Sequence, residues 1–247
     1  RARCKLLHQT GARRAGHGAR SRRPRGTEDG PDGQNVANAK RRGGAARPRG
    51  ANAGRPAVFC RFAGCNLWAG REEDRAAAIC SFCDTDFVGT DGDGGGVFGT
   101  AESLAIAVSK KWPVEVTSRM APLVVCTGGE PLLQLDAAAI GALHGVGFEI
   151  ALETNGTLVP PPGIDWICVS PKAGADLILR TGHELKLVYP QEGMPPIELG
   201  ELDFNQFYLQ PMDGPDLERN TQLALDYCLQ HPQWRLSLQT HKLVGIR

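Results

Sequence analysis

The sequence predicts an α/β fold with a mostly parallel sheet, either open or rolled into a partial barrel. Short apolar segments typical of buried strands, such as residues 123–126, alternate along the chain with stretches of helical periodicity. Strands that alternate with helices favour parallel pairing through helical crossovers. Residues 50–247 are long enough to bury the core of one such domain.

The elements follow from local patterns. Thr100 is a suitable N-cap, and Leu104, Ala105, Val108 and Trp112 recur at helical spacing. We predict strands at 57–62, 123–126, 149–153, 166–169, 184–188, 207–210 and 235–238, and helices at 101–112, 131–145 and 216–230. Residues 63–99 show little periodicity and are predicted to form a long functional loop.

Charge divides the chain into two parts. Residues 1–49 carry 14 basic and 3 acidic side chains, whereas residues 50–247 carry 14 basic and 24 acidic ones. The first part has only Leu6, Leu7 and Val36 as large apolar side chains, so we expect it to be disordered. Two explanations are open: a shifted reading frame or misplaced start, or a basic tail that binds nucleic acid electrostatically.

From the sequence we expect neither a membrane-spanning protein nor one with a secretory signal. The chain has no apolar run of the roughly 18–20 residues that a membrane helix needs. Its N-terminus has arginines but no apolar segment of the kind found in secretory signals. We therefore expect a cytoplasmic protein whose eight cysteines are reduced thiols or metal ligands.

Three cysteines form the strongest chemical pattern. Cys65 is followed by fourteen residues, Cys80, two residues and Cys83. Three thiolates can hold three irons of a [4Fe–4S] cluster and leave the fourth iron open to a substrate or cofactor. Two alternatives remain at this point: a zinc site with Cys60 or Asp84 as fourth ligand, and a Cys-x-x-Cys redox pair.

A second pattern, Thr-Gly-Gly-Glu-Pro at 127–131, follows a predicted buried strand. Glycines allow a ligand's ammonium group to approach backbone carbonyls, and Glu130 would add an anionic acceptor. The alternative is an ordinary strand-to-helix turn with Pro131 at the first helical position.

Together these motifs resemble the radical S-adenosylmethionine (SAM) enzymes. Within them, residues 59–68 (FCRFAGCNLW) and 80–89 (CSFCDTDFVG) look like the 7-carboxy-7-deazaguanine synthase family of queuosine biosynthesis, which has the same fourteen-residue insertion. The segments that continue the resemblance downstream are 153–156, 170–172, 186–190, 210–213 and 239–247. The resemblance covers residues 50–247 and implies a partial (β/α) barrel of the radical SAM type.

The resemblance implies a role for individual residues. The cluster ligands would be Cys65, Cys80 and Cys83, and Thr85 would bind Mg²⁺. SAM would be held by Phe82, Cys83, Asp84, Gly129, Ser170, Pro171, Lys172, Gln210, Pro211, Met212 and Asp213. The substrate would contact Arg61, Thr127 and the terminal carboxylate of Arg247. A threonine hydroxyl suits magnesium, and an arginine fork suits a carboxylate.

The implied reaction is the ring contraction of 6-carboxy-5,6,7,8-tetrahydropterin to 7-carboxy-7-deazaguanine with loss of ammonia. The protein would orient the reactants and exclude water and oxygen, while the cofactors supply the radical chemistry. The family further implies a reductant such as flavodoxin and a homodimer, with no membrane or direct nucleic-acid partner. Two alternatives remain. The protein could be a radical SAM activating enzyme that acts on a protein glycine, or a non-enzymatic binding module stabilised by zinc.

One departure from the family stands out. The family opens with a strand and a Gln-Gly-Glu-Gly loop, and only residues 50–56 of this region match. We therefore expect the first strand to be missing and the strand at 57–62 to have an unpaired edge.

Overall fold

A computed structural model of the chain describes residues 1–8, 50–91, 94–112 and 120–243. In these ranges one sheet of nine strands has the order β3-β1-β2-β4-β5-β6-β7-β8-β9. The strands are β1 (Ala2–His8), β2 (Ala57–Phe62), β3 (Gly96–Phe98), β4 (Leu123–Gly128), β5 (Glu149–Thr154), β6 (Trp166–Val169), β7 (Thr181–Tyr189), β8 (Asp203–Pro211) and β9 (Trp234–Leu236). From β2 to β9 all neighbours are parallel, which confirms the predicted partial barrel.

The three predicted helices are present but shorter than predicted, and two short helices were not predicted. They are α1 (Ala101–Ser109), α2 (Ala137–Gly145), α3 (Pro196–Leu199), α4 (Leu217–Gln230) and α5 (Thr240–Leu243). The predicted helix at 131–145 is divided into a 3₁₀ turn, Pro131–Leu133, and α2. The division occurs because Asp136 caps α2, accepting a hydrogen bond from the Ala139 amide at 2.8 Å. Within the described ranges, no helix combines the length and the apolar character that crossing a bilayer requires.

The N-terminal strand contradicts the expectation that residues 1–49 are disordered throughout and that the first strand is missing. β1 pairs antiparallel with both β2 and β3, so the edge of β2 is covered. Cys4 and Leu6 are buried in the core, 0% and 1% exposed. The expectation rested on the small number of large apolar side chains in this segment. Two buried side chains and backbone pairing nevertheless suffice for a strand this short. Residues 9–49 lie outside the described ranges.

The region predicted as a long loop also contains regular structure. It contains the 3₁₀ helix Glu72–Ala77 and, at the end of the glycine-rich segment, β3. Glu72–Ala77 lies inside the fourteen-residue insertion between the first two cysteines of the motif. The insertion is therefore a folded element.

Side-chain alternation gives the sheet two different faces. On the outer face, residues such as Val58 and Val124 pack with Leu104 of α1 and Ile140 of α2. On the inner face, Ala57, Phe59, Leu123, Val125 and Ala151 form a second apolar cluster. Because the period is two, the next inward positions on these strands are Arg61, Thr127 and Glu153. Polar side chains thus continue the inner face at the carboxyl ends of the strands, where sites of parallel sheets form.

Candidate active site

A cavity opens at the carboxyl ends of the strands and encloses about 870 Å³, including the part open to solvent. The segments around it are the loop after β2, the turns after β4, β5 and β6, and the ends of β7 and β8. Its lining residues are Cys65, Leu67, Trp68, Cys80, Phe82, Cys83, Asp84, Thr85, Phe87, Thr127, Gly128, Gly129, Glu153, Thr154, Asn155, Ser170, Lys172, Lys186, Val188, Gln210 and Asp213.

The three cysteines of the motif meet in this cavity. The thiol of Cys80 donates a hydrogen bond to Cys83, which lowers the pKa of Cys83 to about 6 and raises that of Cys80. Burial raises the pKa of Cys65, whose Sγ accepts a hydrogen bond from the Leu67 amide at 3.5 Å. Cys83 is therefore the thiol most readily ionised, and thiolates are the ligands that iron–sulfur clusters use.

Three thiols suit a [4Fe–4S] cluster with one open iron, whereas a structural zinc site needs a fourth ligand. Cys60, one suggested fourth zinc ligand, is fully buried in the core, hydrogen-bonded to Cys126 and Cys4. In a four-iron cluster each thiolate binds a different iron, so the three cysteines need not converge on one point.

The Gly-Gly pair of the second motif allows two backbone segments to touch. A Cβ at Gly128, where φ is +127°, would overlap the backbone of Phe62, and a Cβ at Gly129 would overlap the carbonyl of Gly64. The Gly129 amide donates to the Phe62 carbonyl at 3.0 Å. The glycines therefore fix the loop of β4 against the start of the cysteine segment.

Glu130 does not have the ligand-binding role that the sequence suggested. It is fully buried and accepts hydrogen bonds from the Leu132 amide, the Thr154 hydroxyl and the Asn155 amide at 3.0, 2.9 and 2.8 Å. Burial raises the pKa of its carboxyl, partly offset by these donors. Glu130 therefore joins the turns after β4 and β5 below the cavity.

An ion pair on the cavity floor was missed by sequence reasoning. Glu153 accepts hydrogen bonds from Lys186 Nζ at 2.9 Å and from the Thr127 hydroxyl at 3.1 Å. The Lys186 side chain is only 4% exposed and that of Glu153 is 21% exposed. A signal existed, since both are charged residues inside otherwise apolar strand segments, and buried charges need partners.

Lys242 of the C-terminal helix α5 contacts two residues of the cavity wall. Lys242 Nζ donates to Asp84 at 2.6 Å and also to Asp213, while the Gln239 amide donates to Asp84 at 2.7 Å. Two residues predicted to bind SAM are thus bridged by a lysine. Arg247, predicted to contact substrate, lies outside the described ranges.

The other predicted site residues divide into two groups. Phe82, Thr85, Ser170, Lys172 and Gln210 line the cavity, as do the residues already placed there. Lys172 Nζ donates to the carbonyl and hydroxyl oxygens of Ser170, and burial lowers its pKa.

Four predicted residues do not line the cavity: Arg61, Pro171, Pro211 and Met212. Arg61 lies beside Thr127 in the register of β2 and β4, one strand from the cavity wall. Pro171 and Pro211 are buried, and the Met212 amide donates to the Tyr189 carbonyl at 2.8 Å. These backbone positions support the loops around the cavity.

Comparison with known proteins gives relatives that share one name. The chain is 65% identical over 197 residues to the 7-carboxy-7-deazaguanine synthase of Caulobacter vibrioides, covering 80% of this chain and 92% of the relative. It is 62% identical over 197 residues to that of Bordetella pertussis, with the same coverage. It is 55% identical over 203 residues to that of Nitratidesulfovibrio vulgaris, covering 80% of this chain and 93% of the relative.

Solved structures agree on the fold. The crystal structure of QueE from Escherichia coli matches with a TM-score of 0.51 and 24% identity, over 79% of this chain and 93% of that one. A scan against protein-family models found no match.

Proposed function

The chain belongs to the 7-carboxy-7-deazaguanine synthase family, and from this premise we propose how its cavity serves the family's reaction. The enzyme is a radical SAM enzyme that converts 6-carboxy-5,6,7,8-tetrahydropterin to 7-carboxy-7-deazaguanine with loss of ammonia, in queuosine biosynthesis. The observation that carries this proposal is that Cys65, Cys80 and Cys83 share one cavity with the turns after β4, β5 and β6.

Cys65, Cys80 and Cys83 would hold a [4Fe–4S] cluster. When bound, the reduced cluster supplies an electron that cleaves SAM and generates the radical that abstracts a substrate hydrogen. The low pKa of Cys83 favours its thiolate form, so the chain presents a ready ligand at neutral pH. The apolar wall formed by Leu67, Trp68 and Phe87 would keep water from this side of the cavity.

SAM binding would use the rim of the cavity. Its ammonium group suits the backbone carbonyls of Gly128 and Gly129, which line the cavity. Ser170 and Lys172, and Gln210 and Asp213, would hold the remaining parts, together with Phe82 and Asp84. Pro171, Pro211 and Met212 would act through the loop backbone.

Substrate binding would use the inner strand residues. The amino-pyrimidinone edge of a pterin carries adjacent N–H donors, which match a carboxylate such as Glu153. Lys186 and Thr127 hold Glu153 in place. Arg61 and Arg247 would bind the carboxylate end, and Thr85 would bind Mg²⁺.

The cluster assignment is tested by substitution. Cys65→Ala, Cys80→Ala and Cys83→Ala should each lose the cluster, because three ligands are the minimum for this site. Cys60→Ala, Cys126→Ala, Cys168→Ala and Cys228→Ala serve as controls that should retain it. Iron and acid-labile sulfide are measured after anaerobic reconstitution, and a full iron content in Cys80→Ala would overturn the assignment.

The magnesium assignment needs a separate test. Thr85→Ala should lower turnover and weaken its dependence on Mg²⁺ while SAM binding is retained, because a hydroxyl oxygen is a hard ligand. Turnover is measured against Mg²⁺ concentration, and an unchanged response would make Thr85 a turn residue.

Three further parts of the proposal depend on the family resemblance alone. They are a reductant such as flavodoxin, assembly as a homodimer, and a place in the cytoplasm without membrane or nucleic-acid partners. Sedimentation of the reconstituted enzyme tests the dimer, and turnover driven by reduced flavodoxin tests the reductant.

A further inference from the structure

Arg75 connects the fourteen-residue insertion to the turn that carries two of the three cavity cysteines. Its Nη1 donates hydrogen bonds to the carbonyls of Ser81 and Cys83 at 2.8 and 3.0 Å. Its Nε donates to Glu72 at 2.6 Å, and its guanidinium lies 4.1 Å from the ring centroid of Trp68. We propose that Arg75 is a positioning residue that holds this turn in its cluster-binding shape and places a positive charge beside the cluster.

The guanidinium rests on a fixed platform. Trp68 is 8% exposed, its Nε1 donates to the Arg71 carbonyl at 3.2 Å, and its ring meets Phe87 edge to face at 5.6 Å. A planar guanidinium can stack on an indole while its Nε binds Glu72 and its Nη1 binds the two carbonyls, whereas an ammonium has one nitrogen and cannot make both sets of bonds from that position. Arg75 is therefore held from one side by the ring and from the other by the cysteine turn.

The two carbonyls determine where two amides point. In a trans peptide the C=O and N–H bonds point in opposite directions, and in the described ranges the only cis bond is Tyr189–Pro190. With the Ser81 and Cys83 carbonyls directed at Arg75, the amides of Phe82 and Asp84 point away from it. Both residues line the cavity, and hydrogen bonds to the sulfurs are among the factors that set the reduction potential of a cluster.

The positive charge of Arg75 would raise the reduction potential of the cluster. Reduction adds an electron to a cluster already bound by three thiolates, and a nearby guanidinium favours the more negative form. Removing Arg75 should therefore make the cluster harder to reduce. The neighbouring Arg71 offers a matched control, since its guanidinium is 66% exposed and pairs with Glu73 and Asp74 of the same insertion.

The first test measures iron release. This inference rests on the proposed cluster, so the wild-type chain is first shown to contain four irons; failure there would overturn the proposed function itself. Arg75→Gln should then lose iron to a chelator about 10-fold faster or more, or fail to assemble the cluster, while Arg71→Gln behaves as wild type. Equal release from the two variants, both folded by circular dichroism, would overturn the positioning role of Arg75.

The second test measures the reduction potential by redox titration followed by electron paramagnetic resonance. Arg75→Lys keeps the charge but cannot bond Glu72 and the two carbonyls from one stacked position, so it should release iron faster than wild type but retain most of the wild-type reduction potential. A potential more negative in Arg75→Gln than in Arg75→Lys supports the charge contribution. Equal potentials in wild type and every variant that assembles a cluster would overturn that contribution.

Discussion

The buried carboxylate of Glu130 accepts a hydrogen bond from the Thr154 hydroxyl at 2.9 Å, joining the turn after β4 to the turn after β5. Both turns contribute to the cavity wall, through Gly129 and Asn155. The pair therefore fixes the distance between two walls of the proposed SAM site.

Replacing Glu130 with glutamine should destabilise the protein. Glutamine has one acceptor oxygen for three donors, and its amide nitrogen would face another N–H. Leaving a buried donor unmatched costs about 1–3 kcal/mol. Chemical denaturation measures the change, with Glu198→Gln, at an exposed position of α3, as control. A free energy of unfolding equal to that of the control would contradict the proposed role of Glu130.

The pair of Lys186 and Glu153 should behave as a coupled unit. Lys186→Met removes the cation that donates to the Glu153 carboxylate at 2.9 Å, which should cost about 3 kcal/mol, the lower end for a buried pair because Glu153 is partly exposed. Adding Glu153→Gln removes both charges and should recover part of this loss. A double-mutant cycle on the free energy of unfolding measures the coupling. Additive effects of the two substitutions would show that the pair is not coupled.

The packing of the N-terminal strand β1 leads to a prediction about the free energy of unfolding. Leu6 is 1% exposed, so Leu6→Ala should lower the free energy of unfolding by about 2–5 kcal/mol. Arg1→Ala, at an exposed position before β1, is the control. If Leu6→Ala left stability unchanged, residues 2–8 would not form part of the core and the disorder expected from composition would be correct.

Because the Glu184 carboxyl is buried, we predict that the free energy of unfolding depends on pH. It is 1% exposed and accepts hydrogen bonds from the Ala51 amide and the Cys168 thiol at 3.0 and 3.3 Å. Burial raises the pKa of its carboxyl above that in the unfolded chain. The folded state therefore binds more protons, and the stability that this group contributes is lost as pH rises through its folded pKa.

Glu184→Gln removes this titration and keeps an acceptor oxygen. The free energy of unfolding of the variant, relative to wild type, should therefore increase as pH rises from about 4, the ordinary range of a glutamate, to 8. The exposed Glu201→Gln is the matched control. A difference between variant and wild type that stays constant over this range would contradict the raised pKa.

Local sequence patterns predicted the strands and helices whose apolar residues are regularly spaced. The strand at 57–62 and the strand at 166–169 have the predicted bounds, because each is an apolar segment with clear limits. β1 was missed because its stability comes from pairing with β2 and β3, which no local pattern records. Tertiary pairing of this kind overrides composition.

The site was predicted through motifs, and its supporting interactions were not. The cysteine spacing identified Cys65, Cys80 and Cys83, which the fold brings to one cavity. The role of Glu130 was misjudged because its three donors come from residues up to 25 positions away. The contact of Arg75 with the Cys83 carbonyl likewise depends on how the insertion folds back.

Product formation tests the central claim most directly. The wild-type chain and its Cys60→Ala and Cys80→Ala variants are reconstituted anaerobically and given a reductant, SAM, Mg²⁺ and 6-carboxy-5,6,7,8-tetrahydropterin, and 7-carboxy-7-deazaguanine is measured by mass spectrometry. We expect product from wild type and Cys60→Ala and none from Cys80→Ala. A wild-type chain that contains four irons and cleaves SAM but forms no 7-carboxy-7-deazaguanine would contradict the account.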